Sequence, residues 1–235
     1  MSKNVLITGA NRGVGLALVR KFLKSGYDVI AASRNSSDGL KQLATEYPEN
    51  LTELTLDVAD FTSVREAAET LKSRIESIDY LINNAGIYGQ DYEGKIDKLD
   101  LDDGQLQEIM NVNAFGPLRV TQQFLPLLRK GKTRTIVNIS SEAGSVSQCW
   151  REGVYAYCMS KAALNMETRI LDLHLRKEGF TVLAVHPGWV RSDMGGSGAD
   201  ISTDESAEGI YEQVMKPRSE EDPIYFDYTG KTWQW

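Results

Sequence analysis

Tyr157 and Lys161 stand four residues apart in a segment, 156–178, whose apolar pattern predicts a helix. At that spacing two side chains share one helix face, about 6 Å apart. A free phenol titrates at about 10 and is a poor acid or base at neutral pH. A neighbouring ammonium favours the phenolate and lowers that value, which suits the pair to general acid–base work. A second set, Thr8-Gly9-Ala10-Asn11-Arg12-Gly13-Val14-Gly15, joins a short apolar run to a helical pattern. Glycines at 9, 13 and 15 leave the backbone bare at the turn and at the helix start. Backbone N–H groups and the helix dipole can then approach an anion closely.

These residues need elements to hold them. Short apolar runs at 4–8, 28–32, 51–56, 80–82, 133–139, 181–185 and 224–228 read as strands. Several are apolar at nearly every position, as strands buried on both faces are. Helical patterns at 14–25, 37–47, 60–75, 101–111, 114–130, 156–178 and 203–216 separate them. Asp60 offers a capping oxygen at a helix start, and Gly26, Gly131 and Gly179 sit just past helix ends. Such alternation implies an α/β fold with a parallel sheet and helices on both faces. Stretches 86–100 and 195–200 read as loops over one edge of the sheet, and no linker divides the chain. One domain over 1–235 is therefore expected.

The glycine spacing differs from the general dinucleotide fingerprint G-x-G-x-x-G, but it stands after the first strand of a βαβ unit, where a dinucleotide binds. An acid at the end of the second strand would bind the 2′-hydroxyl of NAD. Here that strand leads into Ser33 and Arg34. Guanidinium makes forked, charge-assisted bonds to phosphate, so Arg34, with Ser33 and Arg12, suits a 2′-phosphate. NADP(H) is expected in preference to NAD(H), which stays open.

Composition narrows the alternatives. The 235 residues carry a net charge of −7, which disfavours nucleic-acid binding. His174 and His186, with Cys149 and Cys158, form neither a metal cluster nor a disulfide framework. No apolar stretch is long enough to span a membrane, and the start has no signal-peptide pattern. A cytoplasmic location, no membrane and no metal are expected.

The motifs, taken in order along essentially the whole chain, resemble the short-chain dehydrogenase/reductase family in its one-domain form. The glycine loop matches the family's, and Asp57 and Val58 match its adenine-binding pair. Asn83-Asn84-Ala85-Gly86 matches N-N-A-G, which in the family stabilises the sheet and lines the cofactor site. Asn113, Ser141, Tyr157 and Lys161 match its catalytic tetrad, the last two as Y-x-x-x-K. Pro187-Gly188-Trp189-Val190-Arg191-Ser192 matches P-G-x-V-x-T, with serine for threonine. The resemblance implies a Rossmann doubly wound sheet of seven parallel strands in the order 3-2-1-4-5-6-7. It also implies that Tyr157 exchanges the proton, Ser141 polarises a carbonyl and Lys161 holds the nicotinamide ribose. Asn113 would hold a relay water. Beside the glycine loop, Ser33 and Arg34, the implied cofactor residues are Asp57, Val58, Asn84, Ala85, Gly86, Tyr157, Lys161, Pro187, Gly188, Trp189, Val190 and Ser192.

The expected activity is hydride transfer between NADP(H) and a small, apolar aldehyde, ketone or alcohol. Tyr88, Cys149, Trp150, Tyr155, Trp189 and Met194 lie on loops that could line the substrate pocket, although Trp150 or Trp189 could equally pack a loop. Ser141 and Tyr157 stand 16 apart, longer than is usual, with the extra residues in the loop 144–153. Ser140 is the alternative serine. The long loop, the run at His186 and the ending Asp227-Tyr228-Thr229-Gly230 resemble a narrower group holding the bacterial C-factor signalling protein and sniffer-type carbonyl reductases. A non-catalytic or weakly catalytic NAD(P)-binding signalling protein of C-factor type is therefore the alternative. A sugar-nucleotide epimerase or dehydratase is a weaker one, since little chain remains after Ser192 for a substrate domain. Homodimer, homotetramer and monomer all stay open.

Overall fold

Strand β1 (Asn4–Thr8) pairs in parallel with β2 (Asp28–Ser33) on one side and β4 (Tyr80–Asn83) on the other. β3 (Leu51–Thr55) extends the sheet beyond β2. β5 (Thr135–Ile139), β6 (Thr181–His186) and β7 (Tyr225–Asp227) extend it beyond β4. The order is β3-β2-β1-β4-β5-β6-β7, all parallel, as the resemblance implies. This computed structural model describes residues 3–89, 96, 99–102 and 104–235. Most of the loop expected at 86–100 lies outside the described residues.

The strand period of two sorts side chains onto two cores. Val5, Ile7, Val29, Ala31 and Val185 face one side. There they meet Leu18 and Phe22 of α1 (Gly13–Lys24), Leu40 and Leu43 of α2 (Asp38–Glu46) and Ile210 of α7 (Thr203–Met215). Leu6, Ile30, Leu81, Ile136 and Val182 face the other. They meet Val64 and Leu71 of α3 (Phe61–Lys72), Phe124 of α5 (Gly116–Lys130) and Leu175 of α6 (Tyr155–Leu175). Both faces are covered, which is why the strands are apolar nearly throughout.

Boundaries differ from the sequence reading where backbone geometry intervenes. β5 begins at Thr135 rather than 133 because Arg134 takes φ 53°. Its side chain donates to the Gly131 and Glu178 carbonyls at 3.1 and 2.7 Å. The helices expected at 101–111 and 114–130 are one continuous rod. α4 (Gln105–Met110) passes through a π-helical turn (Asn111–Phe115) into α5. Pro117 has no N–H to offer the carbonyl four residues back, that of Asn113, so the regular ladder is interrupted there. Asp60 caps α3 as expected, accepting from the Thr62 N–H at 2.8 Å.

Candidate active site

A cavity of about 460 Å3 opens at the C-terminal ends of the central strands, within the range usual for ligand sites. Its first wall is the loop between β1 and α1. Gly9 and Gly13 take φ 64° and 55° there. A Cβ on Gly15 would stand 2.2 Å from the Gly9 carbonyl oxygen, so the helix start closes tightly on the turn. The shape is held from β4. Asn84 Nδ2 donates to the Thr8 and Gly9 carbonyls at 2.9 and 3.2 Å. Thr8 Oγ1 accepts the N–H groups of Asn84 and Ala85 at 3.0 and 3.1 Å. The Thr8 and Asn84 side chains are thus committed to the scaffold.

Asn11, Arg12, Gly13, Val14 and Gly15 line the cavity, with Ser33 and Arg34 at the end of β2. Arg12 Nη1 lies 2.6 Å from Asp193 Oδ2, both side chains mostly exposed. Ser33 Oγ donates to the Asn35 carbonyl at 2.9 Å, and Arg34 is exposed. Asp57, Val58, Ala85, Gly86, Pro187 and Ser192 complete this wall. Gly188, Trp189 and Val190 stand behind it. Trp189 is 54% exposed and its Nε1 donates to the Gly195 carbonyl at 2.9 Å, so it packs the loop. Val190 is buried and bridges Ile201. Asn84 lines the cavity although its amide is held by the glycine loop, whereas Thr8, Gly188, Trp189 and Val190 stand outside the lining.

At the other end stand Tyr157 and Lys161, both buried on α6. Lys161 Nζ lies 5.7 Å from the Tyr157 ring centroid and donates to the Ile139 carbonyl at 2.8 Å. Burial lowers the Lys161 ammonium to about 8. Burial also raises the Tyr157 phenol well above its ordinary value. The Ser141 hydroxyl and Arg151 draw it down, and Glu142 and Tyr88 push it up. Desolvation outweighs the opposing Ser141 hydroxyl and Arg151 charge, which favours the protonated phenol. A protonated phenol is a proton donor.

Ser140 and Ser141 diverge. Ser140 Oγ donates to Asn165 Oδ1 of α6 at 2.6 Å, which fixes it in the scaffold. Ser141 Oγ is the hydroxyl that acts on Tyr157, and it accepts the Ala143 N–H at 3.1 Å. Asn113 is fully buried in the π-helical turn. Its amide accepts the Ile87 N–H and donates to the Ile87 carbonyl, both at 2.8 Å, and also donates to Ser160 at 3.0 Å. The side chain braces the segment after β4, so any relay through Asn113 would use its backbone.

Of the expected pocket residues, Tyr88 packs on Tyr157 with ring centroids 4.8 Å apart, and Met194 lines the cavity. Trp150 is 70% exposed and lies under the Arg151 guanidinium. Cys149 is exposed, and Tyr155 opens α6. Sequence reasoning missed Glu142 and Arg151, a largely buried ion pair beside Ser141 and Tyr157. It also missed Tyr225, whose hydroxyl donates to the Ser141 carbonyl at 2.6 Å. An acid directly after the paired serines is the one sequence signal that could have pointed to Glu142.

Residues 3–202 match the short chain dehydrogenase family. The chain belongs to that family. This short-chain dehydrogenase is 40% identical over 159 residues to the C-signal protein of Myxococcus xanthus, covering 67% of this chain and 93% of that one. Its fold superposes on the NADPH-bound carbonyl reductase from chicken fatty liver with a TM-score of 0.89. That match has 36% identity and covers 100% of this chain and 99% of the other. The carbonyl reductase Sniffer of D. melanogaster gives 0.90, with 30% identity and 100% of both chains covered. This short-chain dehydrogenase has no helix, among the described residues, long and apolar enough to cross a membrane. Nor do those residues hold a cluster that could bind a metal.

Proposed function

We propose that this oxidoreductase transfers a hydride between NADP(H) and the carbonyl or alcohol carbon of a small, apolar aldehyde or ketone. Tyr157 gives or takes the proton. One observation carries the reading: Tyr157, buried and within reach of the Ser141 hydroxyl, lines with Lys161 the same cavity as Arg34 and Ser33.

The residues fit the cofactor. A Cβ on Gly86 would stand 3.7 Å from Lys161 Nζ, so the bare glycine leaves room beside the ammonium where a ribose would lie. The bare start of α1 suits a pyrophosphate. Arg12 and Asp193 form an exposed pair, which contributes little to stability and can be exchanged for a phosphate contact. The NADPH in the chicken carbonyl reductase supports the same choice. When bound, the nicotinamide supplies or accepts the hydride. Ser141 orients the carbonyl oxygen and stabilises its developing charge. Tyr157 delivers the proton to that oxygen. Lys161, held by the Ile139 carbonyl, stabilises the phenolate left behind. Tyr88 on the Tyr157 ring gives the reacting end an apolar wall, and Met194 adds to the lining. We assign all of this to a single domain spanning the chain.

The test is loss of NADPH and NADH absorbance against a panel of aldehydes, ketones and quinones. Turnover with NADPH favoured is expected. Turnover favouring NADH would overturn the cofactor assignment. Cofactor binding without turnover of any carbonyl would favour the alternative, an NADP-binding signalling protein, to which the C-signal likeness points.

A further inference from the structure

Glu142 and Arg151 sit just behind the reacting groups. Glu142 lies in the short 3-10 turn that follows Ser141, and Arg151 lies in the lengthened loop before α6. Their side chains pair directly and are only 18% and 21% exposed. Ser141 Oγ donates to Glu142 Oε2 at 2.9 Å while accepting the Ala143 N–H at 3.1 Å. A serine hydroxyl has one proton and two lone pairs. With the proton on Glu142 and one lone pair on Ala143, Ser141 cannot at the same time donate to Tyr157, the contact that draws its phenol down. Polarising a substrate carbonyl needs that same proton released from Glu142.

We propose that the Glu142–Arg151 pair is a positioning device. It sets which way the Ser141 proton points and, through two opposed charges, the acidity of Tyr157. Arg151 draws charge from Glu142 and so loosens its hold on Ser141. Glu142 alone would hold the proton and repel a phenolate. The charges act on Tyr157 in opposite senses, Glu142 raising and Arg151 lowering its phenol. The other groups facing that ring are Ser141, Tyr88 from the segment after β4, and Lys161 from α6, while Cys158 of α6 feels Glu142 and Arg151. His186 and Tyr225, on β6 and β7, also feel Glu142. The lengthened loop thus delivers the countercharge of an acid that the Ser141 turn places beside the reaction.

This rests on the role proposed for Tyr157, so its test needs a readout independent of turnover. 3,5-Difluorotyrosine installed at position 157 has a more acidic phenol, and its 19F resonance follows ionisation directly. Glu142→Gln, which keeps the size and the acceptor for Ser141, is expected to lower the midpoint by about one pH unit. Arg151→Ala is expected to raise it by a similar amount, and Arg151→Lys to restore at least half of that shift. In the unlabelled protein, NADPH-driven reduction of 4-nitrobenzaldehyde is expected to lose about tenfold in kcat in Arg151→Ala, at unchanged KM for NADPH. Midpoints that stay fixed, or move the same way in Glu142→Gln and Arg151→Ala, would overturn the proposal even if the enzyme is active. Opposed shifts in a protein that reduces no carbonyl would uphold the pair and refute the reductase reading.

Discussion

The loop after β1 and the segment after β5 flank one cavity, but they are built from different materials. The first is backbone. Thr8 and the Asn84 that clamps it are spent holding shape, and its charge, Arg12, pairs with Asp193 in the open; Arg34, nearby at the end of β2, is also exposed. The second is side chains. Ser141, Tyr157 and Lys161 are buried, and Glu142 and Arg151 nearly so. An exposed charge is screened and can change partner at little cost, which suits a ligand that comes and goes. A buried charge or phenol has its titration reset by burial, which suits a group that must hold a proton and then release it.

The contrast can be broken by substitution on either side. The largest effect is expected on the buried side. Tyr157→Phe should lower kcat by about 10²–10⁴-fold, the scale of acid–base catalysis, with NADPH affinity by fluorescence titration nearly unchanged. Full activity in that variant would remove Tyr157 from the chemistry. On the exposed side, Arg34→Asp should cut kcat/KM for NADPH by about tenfold or more and spare NADH, the loss of a charge-assisted contact. Equal losses with both cofactors would show that Arg34 does not read the 2′-phosphate.

Gly15→Ala probes the backbone wall. Its Cβ would meet the Gly9 carbonyl at 2.2 Å, so the turn must shift. A loss of about 1–3 kcal/mol by urea denaturation is expected, together with weaker cofactor binding. A last effect, spread over a pH window, concerns Lys161. Burial takes Lys161 from 10.5 to about 8 in the folded chain. Between these values the unfolded chain binds the extra proton, so wild-type stability rises with pH through that window relative to Lys161→Met. Thermal melts of both proteins from pH 8 upward check the slope. Parallel curves would mean that Lys161 titrates as it does in water.

The two regions also differ in how far they could be read without a structure. The parallel sheet followed from the alternation of elements, the order of its strands from the family resemblance, and β1 matched residue for residue. The glycine loop was legible because its function needs the absence of side chains at fixed spacings, a local property. The Tyr157–Lys161 spacing was legible for the same reason, since one helix turn sets it. Its chemistry was not. The ammonium was expected to bring the phenol down, yet burial pushes it up. That burial draws on Tyr88 and Ala143, from other parts of the chain, as well as on Val154 at the start of α6. Asn113 shows the same limit. Its amide is committed to Ile87, 26 residues away, through a π-helical turn that no periodicity announces.

The alternation of apolar runs with helical patterns, and the spacing of glycines, tyrosine and lysine, pointed to the class of fold and the place of the cavity. Those follow from local rules: periodicity, the freedom of glycine, and the pitch of a helix. Whether a side chain is scaffold or reactant was decided only when distant segments met. Ser140 turns to Asn165 and Ser141 to Glu142, although the two serines are neighbours of one type. Desolvation and hydrogen-bond geometry act across space, and they assign the protons.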